Sequence, residues 1–421
     1  MTTANRDTVR FILMAKQAEI ESLHQLATTC EMVSAISDLI HQLQRERGAS
    51  NIFLASGGAH FADQLEQQSQ VSSAEETRLR LLLDQRYLKP KMPQANVRLL
   101  NSVALVLHGL DELPALRQSI RKRDVCPSQS TESFIRLIRG LLAVVFETAD
   151  IATDPAITRL LVTLFHLMQG KEYAGQERAW GAVGFAAGKF TQEVFERIEN
   201  LLYAQQRCLG VFESFDHPQA LRQWQDWLCS EPQHQFEQLR RLISGISDGM
   251  EVSPELSEVW YDMATQRIDQ LRQLEDLLAS ALRQACETRM EEARLAMSQH
   301  THELDKLLPR ASDSSPLLEG EMDAALPLRD GGEPLKLMYE LMQQQSEQIK
   351  EIQQELTQAK QALEDRKLIE RAKGVLMRSL QLSEQQAYTR MRQSAMSQNV
   401  SLGEIAVSLL NAAERVQKTG T

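Results

Sequence analysis

Two short stretches carry residues suited to holding a small anion. The first, QRERG at 44–48, lies in a run whose apolar residues Ile36, Ile40, Leu43 and Leu54 recur at helical spacing. That spacing puts Arg47 and Ser50 on the same inward face, with Gly48 beside them. Arg45 falls about half a turn out of phase with Ile36 and faces outward. The second stretch, KEYAGQERA at 171–179, continues the stripe Leu161, Leu164, Met168, Glu172, Gly175, Arg178 and Ala182. Again an arginine takes a core position, and again it follows a glutamate and precedes a small residue. An uncompensated buried guanidinium costs on the order of several kcal/mol. Two kinds of partner are open. One is internal, a carboxylate such as Glu172 or a helix carbonyl; the other is a planar oxyanion shared by Arg47 and Arg178, which the guanidinium fork suits.

A second set of residues lies near the end of the chain. Arg366 and Lys373 are seven residues apart, as are Arg371 and Arg378, so each pair shares a helix face. Leu368, Ala372, Val375 and Leu376 take the opposite side as core. The net charge is −11 overall, but +4 over Asp365–Thr421 and therefore −15 over the rest. A basic end on an acidic body points to a nucleic-acid contact, against the plainer reading of a solvated charged face. Gly374 inside a helix costs about 1 kcal/mol relative to Ala, so a glycine there suggests close approach of another helix or of a ribose-phosphate backbone.

The elements that position these residues read as helices throughout. Aromatic content is 5% and Leu, Gln, Glu and Arg are abundant, which favours an all-α fold over sheets. From about residue 7 to 300, helix follows helix, broken at SGG (56–58), KPKMP (89–93), Asp154-Pro155, His217-Pro218 and Ser253-Pro254. Residue pairs such as Asp154-Pro155 and Ser253-Pro254 predict an N-cap followed by a first-turn proline. Helices of about 20 residues joined by short turns predict a long antiparallel bundle over 1–308. Residues 309–334 lose the helical period and are rich in Pro, Ser, Gly and Asp, which predicts a flexible linker. Over 335–421 a new register begins. Leu335, Met342, Ile349, Leu356 and Leu363 are spaced by seven, with Met338, Ile352 and Ala359 three residues after members of that series and Gln345 as its polar exception. This predicts a coiled-coil helix and a dimeric active form. SEQQ (383–386) and SLGE (401–404) are capping boxes that start two further helices.

Several function classes find no support. No glycine-rich phosphate loop follows a strand, and no His, Cys or carboxylate set has metal-ligand spacing, so neither an enzyme acting on an oxyanion nor a metal site is indicated. Five scattered cysteines without a Cys-x-x-Cys pair read as free thiols of a reducing compartment. No apolar run approaches the roughly 18 residues that would cross a bilayer. The expectation is a cytoplasmic protein with no membrane contact and no cofactor.

Residues 366–410 resemble the ANTAR family of three-helical RNA-binding domains. The motif positions are Arg366, Ile369, Ala372-Lys373-Gly374, Leu376-Met377, Ala387-Tyr388, Arg392, Ala395-Met396, Leu402 and Ile405-Ala406. Residues 33–190 resemble the NIT family, nitrate- and nitrite-sensing helical modules, through Gln44-Arg45-Glu46-Arg47-Gly48 and the Lys171–Ala179 stretch. Together the resemblances imply a one-component antitermination regulator. Nitrate or nitrite at Arg47 and Arg178, with Gly48 and Ser50 lining the site, would switch on binding to tandem hairpins of a leader mRNA. Arg366, Lys367, Arg371, Lys373, Gly374, Tyr388 and Arg392 are the expected RNA contacts, Tyr388 as a platform for an unstacked base. A DNA-reading helix-turn-helix is the competing reading of the last two helices.

Overall fold

The computed structural model describes residues 3–87, 96–215, 217–245, 251–310 and 333–419. Thirteen helices occupy them and no named strand is present among the described residues, as the composition predicts. They run α1 (Thr3–Ala55), α2 (Ala62–Tyr87), α3 (Val97–Asp111), α4 (Leu113–Lys122), α5 (Pro127–Ile151), α6 (Pro155–Ala186), α7 (Gln192–Ser214), α8 (Pro218–Leu228), α9 (Glu231–Gly245), α10 (Leu256–Arg310), α11 (Glu333–Leu380), α12 (Glu384–Gln398) and α13 (Leu402–Thr419). Residues 311–332, most of the predicted linker, and the KPKMP break lie outside the described residues. So do the side chains of the first half of the heptad series, Leu335 to Ile349.

Local chemistry sets the breaks. α1 ends where Gly57 and Gly58 take positive φ, a turn that L side chains resist. The Asp154 side chain accepts from the Ile157 N–H at 3.0 Å and Pro155 opens α6. His217 caps α8 in the same way. Ser253-Pro254 differs from expectation: those residues form a turn, with Leu256 N–H bonded to the Ser253 carbonyl, and α10 begins at Leu256. Both predicted capping boxes are formed, Ser383 with Gln386 and Ser401 with Glu404. The apolar stretch Val97–Lys122 is two helices, α3 and α4, meeting at Glu112; Leu99, Val103, Val106 and Leu110 face the bundle.

α6 is the axis of the molecule. Between Leu161 and Met168 every residue is buried, because α1, α5, α7, α10 and α11 surround it. A helix apolar on all sides needs such an envelope. One core joins α1, α2, α3, α5, α6 and α10. A second, of Phe185, Phe190, Ile198, Phe236 and Trp260, closes the ends of α6, α7, α9 and α10. The third is the ANTAR-like core, in which Ile369, Ala372 and Leu376 of α11 meet Ala387, Met391, Leu402 and Ile405. Near its middle α11 leaves no free seam: Ala359 and Leu363 are buried, and Leu363 joins the N-terminal core. Ile352, an earlier seam residue, is 44% exposed.

Trp260 shows how close the packing is around the second arginine. Its indole is buried against Gly181, and its Nε1 donates to the Arg178 carbonyl at 3.0 Å. A Cβ on Gly181 would stand 2.3 Å from the indole ring. Gly181→Ala is therefore expected to lower unfolding stability by about 2–3 kcal/mol despite the better helix propensity of Ala, as read from urea denaturation.

Candidate functional site

Arg47 of α1 and Arg178 of α6 meet across the helix pair as the spacing predicts. Each arginine lies over the other helix's glycine. A Cβ on Gly175 would stand 2.6 Å from Arg47 Nη2, and one on Gly48 would stand 2.9 Å from Arg178 Nη2. The small residues are thus the condition for two guanidinium groups to cross.

Their partners differ. Arg47, 1% exposed, holds Glu172 through both Nη atoms, at 2.5 and 3.2 Å. Gln44 and Gln176 donate to the same carboxylate at 2.8 and 2.9 Å. Of the two partners left open, Arg47 takes the internal one. Arg178 has no carboxylate within ion-pair distance among the described residues. It donates to Thr265 Oγ1 at 2.9 Å and to the Gln44 carbonyl at 3.4 Å, and lies 4.7 Å from the Tyr261 ring centroid. Burial lowers its pKa, Tyr261 opposes that shift, and neighbouring Arg47 adds to it. The two guanidiniums thus have one ion-paired carboxylate between them, and Arg178 feels Asp269 and Glu172 only from beyond ion-pair distance.

The preceding glutamates have a separate task. Glu46, fully buried, takes a two-pronged bond from Arg117 of α4 at 2.6 and 2.9 Å. Glu177 takes the same from Arg240 of α9 at 2.7 and 2.6 Å, with Gln205 as a third donor. Each Glu-Arg pair thus anchors a peripheral helix with the first residue and sends the second inward. The buried charge on each glutamate is matched, so neither neutralises Arg178.

Ser50 is fully buried, and its hydroxyl donates to the Glu46 carbonyl one turn back, at 2.8 Å. One expectation is corrected: no other helix approaches Gly374, where a Cβ would meet nothing within 4 Å, and the space beside it is open. Sequence reasoning missed Tyr261, Thr265, Arg117 and Arg240. Nothing local marks them, because they reach the site through contacts spanning 63 to 87 residues and, for Tyr261, from α10 onto α1 and α6.

The C-terminal cations face inward as well. Arg366 donates to Gln169 at 2.8 Å and stacks over Phe165 at 4.5 Å and Phe146 at 5.5 Å. Lys367 binds Asp150 at 2.7 Å and Arg392 binds Glu199 at 2.9 Å. Asn200 donates to Thr389 at 2.8 Å, and Arg139 pairs with Glu384. Tyr388 is no open stacking platform: it is half-buried near Tyr203 and Arg207 of α7, and burial raises its pKa. Lys373 is held within its own domain by Glu370 and Glu384. Arg371 alone of the seven predicted residues is an exposed cation, and Gly374 opens beside it.

Residues 38–283 match the family described as nitrate and nitrite sensing, NIT, and residues 357–410 match the ANTAR domain. The chain belongs to the NIT family. A nitrate regulatory protein of Klebsiella oxytoca is 33% identical over 404 residues, covering 96% of this chain and 95% of that protein. A solved structure of the NasR transcription antiterminator is 32% identical, with a TM-score of 0.63 over 97% of this chain and 99% of that one. These likenesses make the NIT–ANTAR chain a sensor joined to an effector rather than an enzyme.

The Glu177–Arg240 clamp gives a direct test of the anchoring role. Arg240→Ala leaves Glu177, 1% exposed, without its cation. Loss of about 3–5 kcal/mol in unfolding stability is expected from chemical denaturation, while Arg240→Lys recovers part of it.

Proposed function

We propose that the chain is a nitrate-responsive antitermination regulator in which nitrate or nitrite binds between Arg47 and Arg178 and releases the C-terminal domain to hold leader RNA. The family and its relatives support nitrate-responsive antitermination. The residues, the hairpin target and the route of release are our reading.

One observation carries it: of two crossed, buried guanidiniums only Arg47 has a carboxylate within ion-pair distance among the described residues. The surplus charge suits a monoanion small enough to enter between Gly48 and Gly175. Nitrate has four heavy atoms, and about 1.5 kcal/mol per atom gives roughly −6 kcal/mol, a dissociation constant on the order of tens of micromolar. Such a receptor reports nutrient-level anion.

α6 joins this site to the effector. The helix that carries Glu172 and Arg178 also carries Phe165 and Gln169, which hold Arg366. A shift of α6 around the anion alters the seat of Arg366 about one to four turns away. In the docked state Arg366, Lys367, Tyr388 and Arg392 are turned to α5, α6 and α7 and are withheld from RNA. Release frees them to join Arg371, Lys373 and Gly374 on RNA loops, whose splayed bases and phosphates such a face reads. Anion shifts this equilibrium only by its preference for the released state. Tandem hairpins match two effector domains, so the active form is a homodimer paired through the first half of α11. The setting is cytoplasmic.

Retention of a two-hairpin leader RNA by the full chain tests the reading. Nitrate should tighten retention by the native protein, while Arg47→Ala and Arg178→Ala remain folded and unresponsive. A normal nitrate response in both variants would place the anion elsewhere.

The docking contacts make a second prediction. The double change Asp150→Ala with Glu199→Ala removes the α5 partner of Lys367 and the α7 partner of Arg392. Partly exposed pairs contribute up to about 1 kcal/mol each, so anion-free RNA retention should rise about five- to tenfold.

A further inference from the structure

α10 presents Tyr261, Thr265 and Asp269 on one face, at i, i+4 and i+8. That face lies against Arg178. Thr265 Oγ1 accepts from Arg178 Nη1 and donates to the Tyr261 carbonyl at 2.7 Å, so this hydroxyl is committed. Nη2 is left with only the long contact to the Gln44 carbonyl. The Tyr261 hydroxyl ends over the same glycine as Nη2: a Cβ on Gly48 would stand 2.6 Å from one and 2.9 Å from the other. The hydroxyl has no hydrogen-bond partner among the described residues, although its ring packs on the guanidinium. Two donors therefore converge on one glycine, one under-used and one unused. Asp269 and Arg45 are exposed, and Tyr261 and Thr265 are half-buried.

We propose that Tyr261 completes the anion site as a neutral third donor and sets its preference for nitrate over nitrite. The inference rests on the arginine site described above. Nitrate presents three oxygens in one plane, and nitrite presents two. Arg178 Nη2 engages one oxygen of either anion, an Arg47 N–H that Glu172 leaves over engages a second, and the Tyr261 hydroxyl donates to the third oxygen that nitrate alone has. A phenol suits this place because a third cation would add desolvation cost to two buried guanidiniums. It also pre-positions Arg178, since the ring holds the guanidinium plane before the anion arrives.

Calorimetric titration of the full chain with sodium nitrate and sodium nitrite tests the assignment in native protein, Tyr261→Phe and Arg178→Ala. The phenylalanine ring keeps the packing, and circular dichroism confirms the fold. Tyr261→Phe should weaken nitrate about ten- to a hundredfold, the loss of one hydrogen bond to a charged group, and change nitrite less than twofold. Unchanged nitrate affinity, or equal losses for both anions, overturns the role of Tyr261 while leaving the arginine site standing. Native affinity in Arg178→Ala, or no anion binding by the native chain, overturns the arginine site and this proposal with it.

Discussion

The structure depends on a crossing of two arginines. Arg47 lies over Gly175 and Arg178 lies over Gly48, so each guanidinium uses the space opposite that a methyl group would fill. The energetics of this arrangement are unusual for a core. Burial penalises both cations, and Glu172 offsets one of them. The other is met by a hydroxyl, a weak carbonyl contact, an aromatic ring and the more distant Asp269 carboxylate. Such a centre is costly to hold empty, and an anion that enters it relieves the cost. That is the physical basis of a sensor: the ligand supplies what the fold lacks.

A strained centre needs a stiff surround, and the glutamates next to the arginines provide it. Glu46 and Glu177 occupy equivalent positions in the two motifs and tie α4 and α9 to the long helices. Lys171 and Glu275, both fully buried and 2.6 Å apart, add a third tie between α6 and α10. Burial pushes the lysine's pKa down and the carboxyl's up, and each offsets the shift of the other, with Arg272 adding to the hold on Glu275. These ties limit the motions open to α6. Its far half holds Arg366 by Phe165 and Gln169, so displacement at one end is felt at the other as a change in fit.

Much of this was legible in the sequence, for local reasons. The Ile36–Leu54 and Leu161–Ala182 stripes fixed which way Arg47 and Arg178 point, because helical periodicity is a property of the chain itself. Ser383, Ser401 and Asp154 stated their caps in the same local terms. Contacts between distant segments were not legible. Nothing in the sequence shows that Thr265 would bond Arg178, or that Asp150 and Glu199 would hold the effector cations. Ala359 and Leu363 read as coiled-coil positions because a heptad seam and an amphipathic face buried in a bundle share one pattern; only the structure shows that these two residues are turned inward. For a related reason, periodicity gives the face of the Ser50 hydroxyl but not that its own helix carbonyl captures its proton.

The central claim is that anion at the arginine crossing undocks the effector. Distance measurement by pulsed electron spin resonance tests it most directly, with nitroxide labels at Glu193→Cys in α7 and Gln393→Cys in α12 after Cys126 and Cys229, the exposed thiols, are changed to Ser. Without anion the account predicts one narrow, short distance. With nitrate it predicts a broad, longer distribution, and Arg178→Ala should hold the narrow one at every nitrate concentration. A narrow distance that stays in place while nitrate switches on RNA retention would contradict the account.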